Sequence, residues 1–194
     1  MRTFLMLCLV ALITGCSKDE DPEPTATLNV NELVDLVDKT PDEVKANFKS
    51  AKLEDESSTL GKVTLKYRLN TKDVNYSIAI SSNEKGKVSE IEIYGLCDGG
   101  YSKGIELYKS EMDKINSART YQTYIARYSS QTAGLIDFQN RQEFWDYIVK
   151  NDVSTFAYEY WWIINEASVK FDIEGKYSKS SNSISIIIQK KVWD

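Results

Sequence analysis

The densest run of chemically capable side chains is Phe156-Ala157-Tyr158-Glu159-Tyr160-Trp161-Trp162-Ile163-Ile164. Aromatic planes beside a hydrogen-bonding acid suit stacking on a sugar ring, or on an apolar patch of a protein partner. Read as a strand, the run alternates. Phe156, Tyr158, Tyr160, Trp162 and Ile164 share one face; Ala157, Glu159, Trp161, Ile163 and Asn165 share the other. One face packs on a core that includes Phe144 and Ile148. The binding reading takes Trp161 as an exposed stacking plane near Glu159, with Tyr160 and Trp162 beside them. The competing reading makes every ring a packing residue, and the spacing does not separate a glycan from a protein ligand.

Other reactive residue types point away from catalysis. The chain has no histidine, which removes Ser-His-Asp and Cys-His nucleophiles, His-ligated zinc and His general bases. Cys97 has neither imidazole nor a dense basic environment to activate its thiol. Asp98-Gly99-Gly100 lacks the alternating acids of a calcium loop and reads as a turn. Glu90, Glu92, Glu159, Glu166, Asp172 and Glu174 include no pair set apart by spacing, as two-carboxylate glycoside hydrolysis requires. The expectation is a non-enzyme with no catalytic residue, no metal and no cofactor. A net charge of −5 argues against nucleic acid or an anionic membrane surface as partner, since both require a basic patch.

The elements that must hold these residues are legible from periodicity. Leu28 to Val37 is apolar at helical spacing, with Leu33, Leu36 and Val37 near one face. Thr40-Pro41-Asp42-Glu43 starts a second helix with a capping box and proline at its first position, and Val44 and Phe48 give it a buried stripe. Residues 51–61 read as a loop. Val63, Leu65, Tyr67 and Leu69, then Val74, Tyr76, Ile78 and Ile80, then Ile91 and Ile93, alternate with polar residues and predict three antiparallel strands with one wet face. A helix over Ser102 to Ser117 carries Ile105, Tyr108, Met112 and Ile115 on one stripe. Tyr121 to Tyr128 is a weaker strand. Asn140-Arg141-Gln142-Glu143 opens a helix bearing Phe144, Trp145, Ile148 and Val149. Three strands close the chain, near Val153 to Ile164, Val169 to Ile173 and Ile184 to Trp193, with an exposed Ser- and Lys-rich loop from Gly175 to Ser183. The fold class is α+β, helices packed on an antiparallel sheet, with two related helix-helix-three-strand halves suggested at 28–97 and 101–194.

Ahead of that domain stand Arg2, an apolar run from Phe4 to Ile13, and Ile13-Thr14-Gly15-Cys16. Ten apolar residues fall short of the roughly 20 that span a bilayer, and a basic start with a short apolar core is a processing signal. The pattern resembles the signal and lipobox of bacterial lipoproteins. That resemblance implies a signal peptide over 1–15 and a lipid-carrying Cys16. Acyl chains on that cysteine anchor a protein at about 0.8 kcal/mol per buried CH₂. Cys8 would leave with the signal, so Cys97 has no partner for an intramolecular disulfide. Residues 16–27 form an acidic tether, Ser17-Lys18-Asp19-Glu20-Asp21-Pro22-Glu23-Pro24, too polar to bury. An acidic run behind the lipobox is similar to the surface-export signal of Bacteroidota lipoproteins, which implies an outer-membrane protein facing the cell exterior.

The remaining 28–194 reads as one domain. Its Thr40-Pro41-Asp42-Glu43-Val44 helix start, with Phe48 behind it and a meander to follow, resembles modules of the beta-lactamase-inhibitor-protein-like and small outer-membrane lipoprotein families, although Lys39 stands where the second expects glycine. Two functions stay open: a surface lipoprotein whose domain binds a glycan or protein, and a periplasm-facing envelope component that assembles with or inhibits a protein. For either, replacing Cys16 by serine should release the protein from the membrane fraction and abolish incorporation of radiolabelled palmitate. Label retained by Cys16→Ser would refute the anchor.

Overall fold

Period-two alternation governs this chain, and its consequence is a single sheet with one wet and one dry side. The computed structural model describes residues 26–118, 123–130, 134–138, 140–150, 156–165 and 169–192. Two short helices come first, α1 (Val30–Val34) and α2 (Pro41–Asn47). A four-strand meander follows: β1 (Lys52–Thr59), β2 (Lys62–Asn70), β3 (Val74–Ser82) and β4 (Val88–Cys97). Helix α3 (Tyr101–Ala118), a hairpin of β5 (Thr123–Ser130) and β6 (Gly134–Phe138), and α4 (Arg141–Lys150) lead to β7 (Phe156–Asn165), β8 (Val169–Ser178) and β9 (Ser183–Val192). Among the described residues these strands form a nine-stranded sheet in the order β1-β2-β3-β4-β9-β8-β7-β5-β6, every neighbour antiparallel. The α+β class is therefore as expected.

Register puts the core on one side. A single line of paired residues runs from Tyr67 through Ile78, Ile93, Ile186, Gly175 and Glu159 to Ala126 and Phe138. The helices cover this side: α2 on β2, α3 on β8 and β9, α4 on β5 and β6, with α1 beside α3. Phe48 meets Tyr67 edge-on, and Phe138 meets Phe144. Ile91, Ile93, Ile184, Ile186 and Ile188 are essentially inaccessible, and each such side chain contributes about 1.5–3 kcal/mol by burial. The capping box of α2 forms as expected: Thr40 N–H donates to Glu43 Oε2 at 2.6 Å and Glu43 N–H donates to Thr40 Oγ1 at 3.2 Å. Hydrogen bonding to the Thr40 backbone N–H first, and to its side chain second, holds the Glu43 carboxyl below its ordinary pKa.

Several expectations are corrected. Residues 51–61 are not a loop but β1 and its turn. All eight residues of β1 are exposed, so no apolar alternation announces it. The strand is held by backbone pairing to β2 and by cross-strand pairs, Arg68 to Glu54 at 2.8 Å and Lys66 to Asp55 at 3.5 Å. Leu60 and Gly61 both have positive φ, the conformation of a tight two-residue hairpin turn. The first helix is only Val30–Val34, followed by turns that still bury Leu36 and Val37. The weak strand after α3 is real and has a partner, β6, that periodicity missed. Of the four apolar residues noted on α4, Phe144, Trp145 and Ile148 are buried and Val149 is 79% exposed. Val153 lies outside the described residues.

The expected loop from Gly175 to Ser183 is mostly strand, with Tyr177, Ser178 and Ser183 buried and only Lys179 to Asn182 turning between β8 and β9. Gly175 lets α3 descend onto the sheet. Tyr108 donates its hydroxyl to the Gly175 carbonyl at 3.0 Å, and a Cβ at this position would run into the Met112 side chain. Overpacking of this kind costs about 1–3 kcal/mol. Gly175→Ala should lower the unfolding free energy by that amount, read as a lower urea midpoint with an unchanged m-value; a midpoint equal to wild type would show that α3 can back away.

Candidate functional site

The second side of the sheet carries no helix among the described residues. Its central positions belong to β4, β9 and β8, because alternation sends every second residue of each strand to this side. Tyr94 pairs with Ser77 of β3 and Ser185 of β9; it is 44% exposed, and Leu96 beside it is 48% exposed. Along β4 the same face presents Glu92, exposed, and Glu90, half-buried and accepting from Gln189 Nε2 at 2.6 Å. Lys176 and Glu174 of β8 approach each other to 3.6 Å. The outer strands add Arg127 of β5, which grips Asp137 of β6 through two bonds of 2.6 and 3.2 Å. The Arg127 guanidinium holds the Asp137 carboxyl below its ordinary pKa. The result is a broad polar surface with aromatic and aliphatic side chains standing out of it.

The register divides the predicted binding residues between the two sides. Tyr160 pairs with Glu174 and Trp162 with Asp172, so both positions belong to the open face, as does Tyr158 opposite Lys176. Trp161 pairs with Ile173, and Glu159 with Gly175. Both are helix-side positions. The side chains of Tyr160, Trp161 and Trp162 lie outside the described residues, as do Cys16 and its tether. Glu159 is described, and the expectation of an acid available to a ligand is corrected: it is fully buried. Both its oxygens are held at 3.3 Å by the Arg141 guanidinium, which also binds Asp113 of α3. Burial would pull the Arg141 pKa down, but Glu159 and Asp113 outweigh it and leave the arginine firmly charged. Glu159 is thus the anchor of α4 and α3 on β7. No sequence signal linked residues 113, 141 and 159; the link is a product of helix packing.

The chain was compared with protein-family models, curated proteins and solved structures, and it matches none of them. What the site can do must be read from its own chemistry. Among the described residues no group of three or more histidine, cysteine or acidic residues is arranged to hold a metal ion. Also among them, no helix is long and apolar enough to cross a membrane. The Cys97 thiol is half-buried, and burial, with Asp98 nearby, pushes its pKa up to about 11. It stays protonated at neutral pH and is a poor nucleophile.

Two hollows lie on the helix side. A groove of about 390 Å³ between α3 and α4 is lined by Ile105, Trp145, Ile148 and Val149, with Lys109 Nζ 5.5 Å from the Trp145 ring centre. A smaller one, about 260 Å³, lies between α3, the β2–β3 turn and the chain just before α1. Glu111 lines it, 7% exposed, and its Oε2 meets no donor among the described residues. Such an orphaned buried oxygen costs about 1–3 kcal/mol. Sequence reasoning passed over Tyr94, Leu96 and Glu111. The signal was present for all three: bulky apolar residues on the polar register of β4, and an acid beside the apolar stripe of α3.

The buried ion pair generates a direct test. Replacing Arg141 by methionine removes the guanidinium that holds both oxygens of the buried Glu159, and breaking a buried pair costs about 3–5 kcal/mol. The double variant Arg141→Met/Glu159→Leu should recover most of that loss, measured as a double-mutant cycle by urea unfolding. An Arg141→Met protein within about 1 kcal/mol of wild type would mean the pair does not hold α4 in place.

Proposed function

We propose that this chain is a lipid-anchored outer-membrane protein, facing the cell exterior, whose domain binds a ligand without catalysis through the open side of its sheet. The anchor is Cys16, and the acidic residues 17–24 form the tether. The observation that carries the binding reading is the one-sided cover. Helices pack on one face of the nine-stranded sheet, and the other presents Tyr94 and Leu96 exposed amid serines and charged groups. Exposed aromatics on a rigid polar surface are the usual anchors of recognition. The positions of Tyr158, Tyr160 and Trp162 extend the same surface toward β7, which moves the binding candidates from Trp161 and Glu159 to the opposite register. The ligand class is a glycan or a protein surface.

A second reading is supported by one observation. In both parts of the chain helices precede an antiparallel meander, α1 and α2 before β1-β2-β3-β4, and α3 and α4, with the β5-β6 hairpin between them, before β7-β8-β9, and the last strands of the two meanders meet at the centre of the sheet. A capped helix start followed by a meander is the pattern on which the resemblance to inhibitor-protein-like modules rests. This reading makes the protein a periplasm-facing component that assembles with or inhibits another protein through the same open face.

Protease shaving of intact cells separates the two readings, because only an outward-facing domain is cut. For the binding face, Tyr94→Ala should leave stability within about 0.5 kcal/mol of wild type, as an exposed substitution does. It should weaken ligand capture about ten-fold or more, read on a glycan array and by crosslinking on whole cells. Capture undiminished in both formats would rule out the open face.

A further inference from the structure

The hollow beside Glu111 has the composition of a small-ligand site rather than of a packing defect. Its floor and walls are Tyr76, Val74 and Leu107, and its polar side chains include Glu111, Ser110, Lys114, Asp73 and Lys72. The Lys114 ammonium donates to Glu111 Oε1 at 2.8 Å and leaves Oε2 unmet among the described residues. Asp73, also at the rim, is taken by Lys103. Each carboxylate therefore already has its own cation, so the site calls for no further cation, and Lys72 at the rim adds another donor. What it lacks is a neutral donor. A hydroxyl would satisfy Oε2, neighbouring hydroxyls would accept from Lys114 and Ser110, and an apolar ring face would lie on Val74, Leu107 and the Tyr76 ring. At about 260 Å³ the hollow is smaller than the roughly 300–1,000 Å³ of drug-sized ligand sites, so it takes one ring.

We infer that this hollow binds a single pyranose sugar unit, with Glu111 Oε2 as its hydroxyl acceptor. The site is on the helix side and stands apart from the open face, so it does not rest on the reading given above. The unit is either a free monosaccharide or the end of a longer glycan, and the test carries both sources.

The mature chain is titrated with glucose, galactose, mannose and N-acetylglucosamine, and with lactose, maltose and chitobiose, followed by saturation-transfer NMR and by thermal midpoint. At least one sugar should bind in the millimolar range and raise the midpoint. Glu111→Leu should raise the midpoint of the free protein, since the unmet oxygen is gone, and weaken the sugar at least ten-fold. Glu111→Gln, which keeps the shape, should weaken it less. Tyr94→Ala should leave the sugar response intact, which separates failure here from failure of the open face. A monosaccharide preference marks a free sugar, and a disaccharide preference a chain end. Three results would overturn the inference: no sugar bound at millimolar concentration, binding indifferent to both Glu111 variants, or ethylammonium bound at Glu111 where every sugar fails.

Discussion

Strand β4 lies against β9 from the Glu90–Gln189 pair to the Leu96–Ser183 pair, and the rest of the molecule follows from that ladder. Among the described residues it is the only seam between the N-terminal meander and the C-terminal strands within the sheet. Its core side is isoleucine on isoleucine, Ile91 against Ile188 and Ile93 against Ile186. Its open side pairs Glu90 with Gln189 and Tyr94 with Ser185. Without it, β4 and β9 would each present a bare hydrogen-bonding edge, which invites pairing with other chains. The partners are far apart in sequence, so loop closure must precede any gain from contact. Joining the two parts also turns two small sheets into one platform that, among the described residues, carries helices on one side and leaves the other open.

That platform explains why polar groups are treated so differently on its two faces. On the open side, charged residues are solvated or paired across strands, and pairs of that exposure contribute little to stability. On the helix side, two carboxylates are buried among the described residues. Glu159 is matched by Arg141, which makes it a structural fastener. Glu111 is matched on one oxygen only, and that imbalance sits in a hollow rather than in packed core. The edges are managed too. β1 is acidic, bulged and exposed along its length, and β6 is only five residues long, both devices that discourage edge-to-edge association.

Alternation made β2, β3 and β4 readable because each has one face in the core and one in water. The same rule failed for β1, which buries nothing, and for β8, where Gly175 and Lys176 broke the apolar pattern although Gly175 lies deep under α3. The aromatic run of β7 was recognised as a strand with two distinct faces. Which face was core was not decidable from it, because both faces are rich in bulky residues. Glu159 seemed a reason to place the binding face at Trp161; its true role depends on Arg141 arriving from another helix.

The amino-acid sequence by itself determined the class of fold, the capped start of α2, the stripe of α3 and the absence of imidazole chemistry. These depend on local periodicity and composition, which need no knowledge of distant residues. The tertiary structure alone decided which side of the sheet faces water, which acid is fastened and which is left unmet, and that the two meanders join along β4 and β9. Those outcomes turn on register between strands and on helix placement, where a shift of one residue exchanges the two faces.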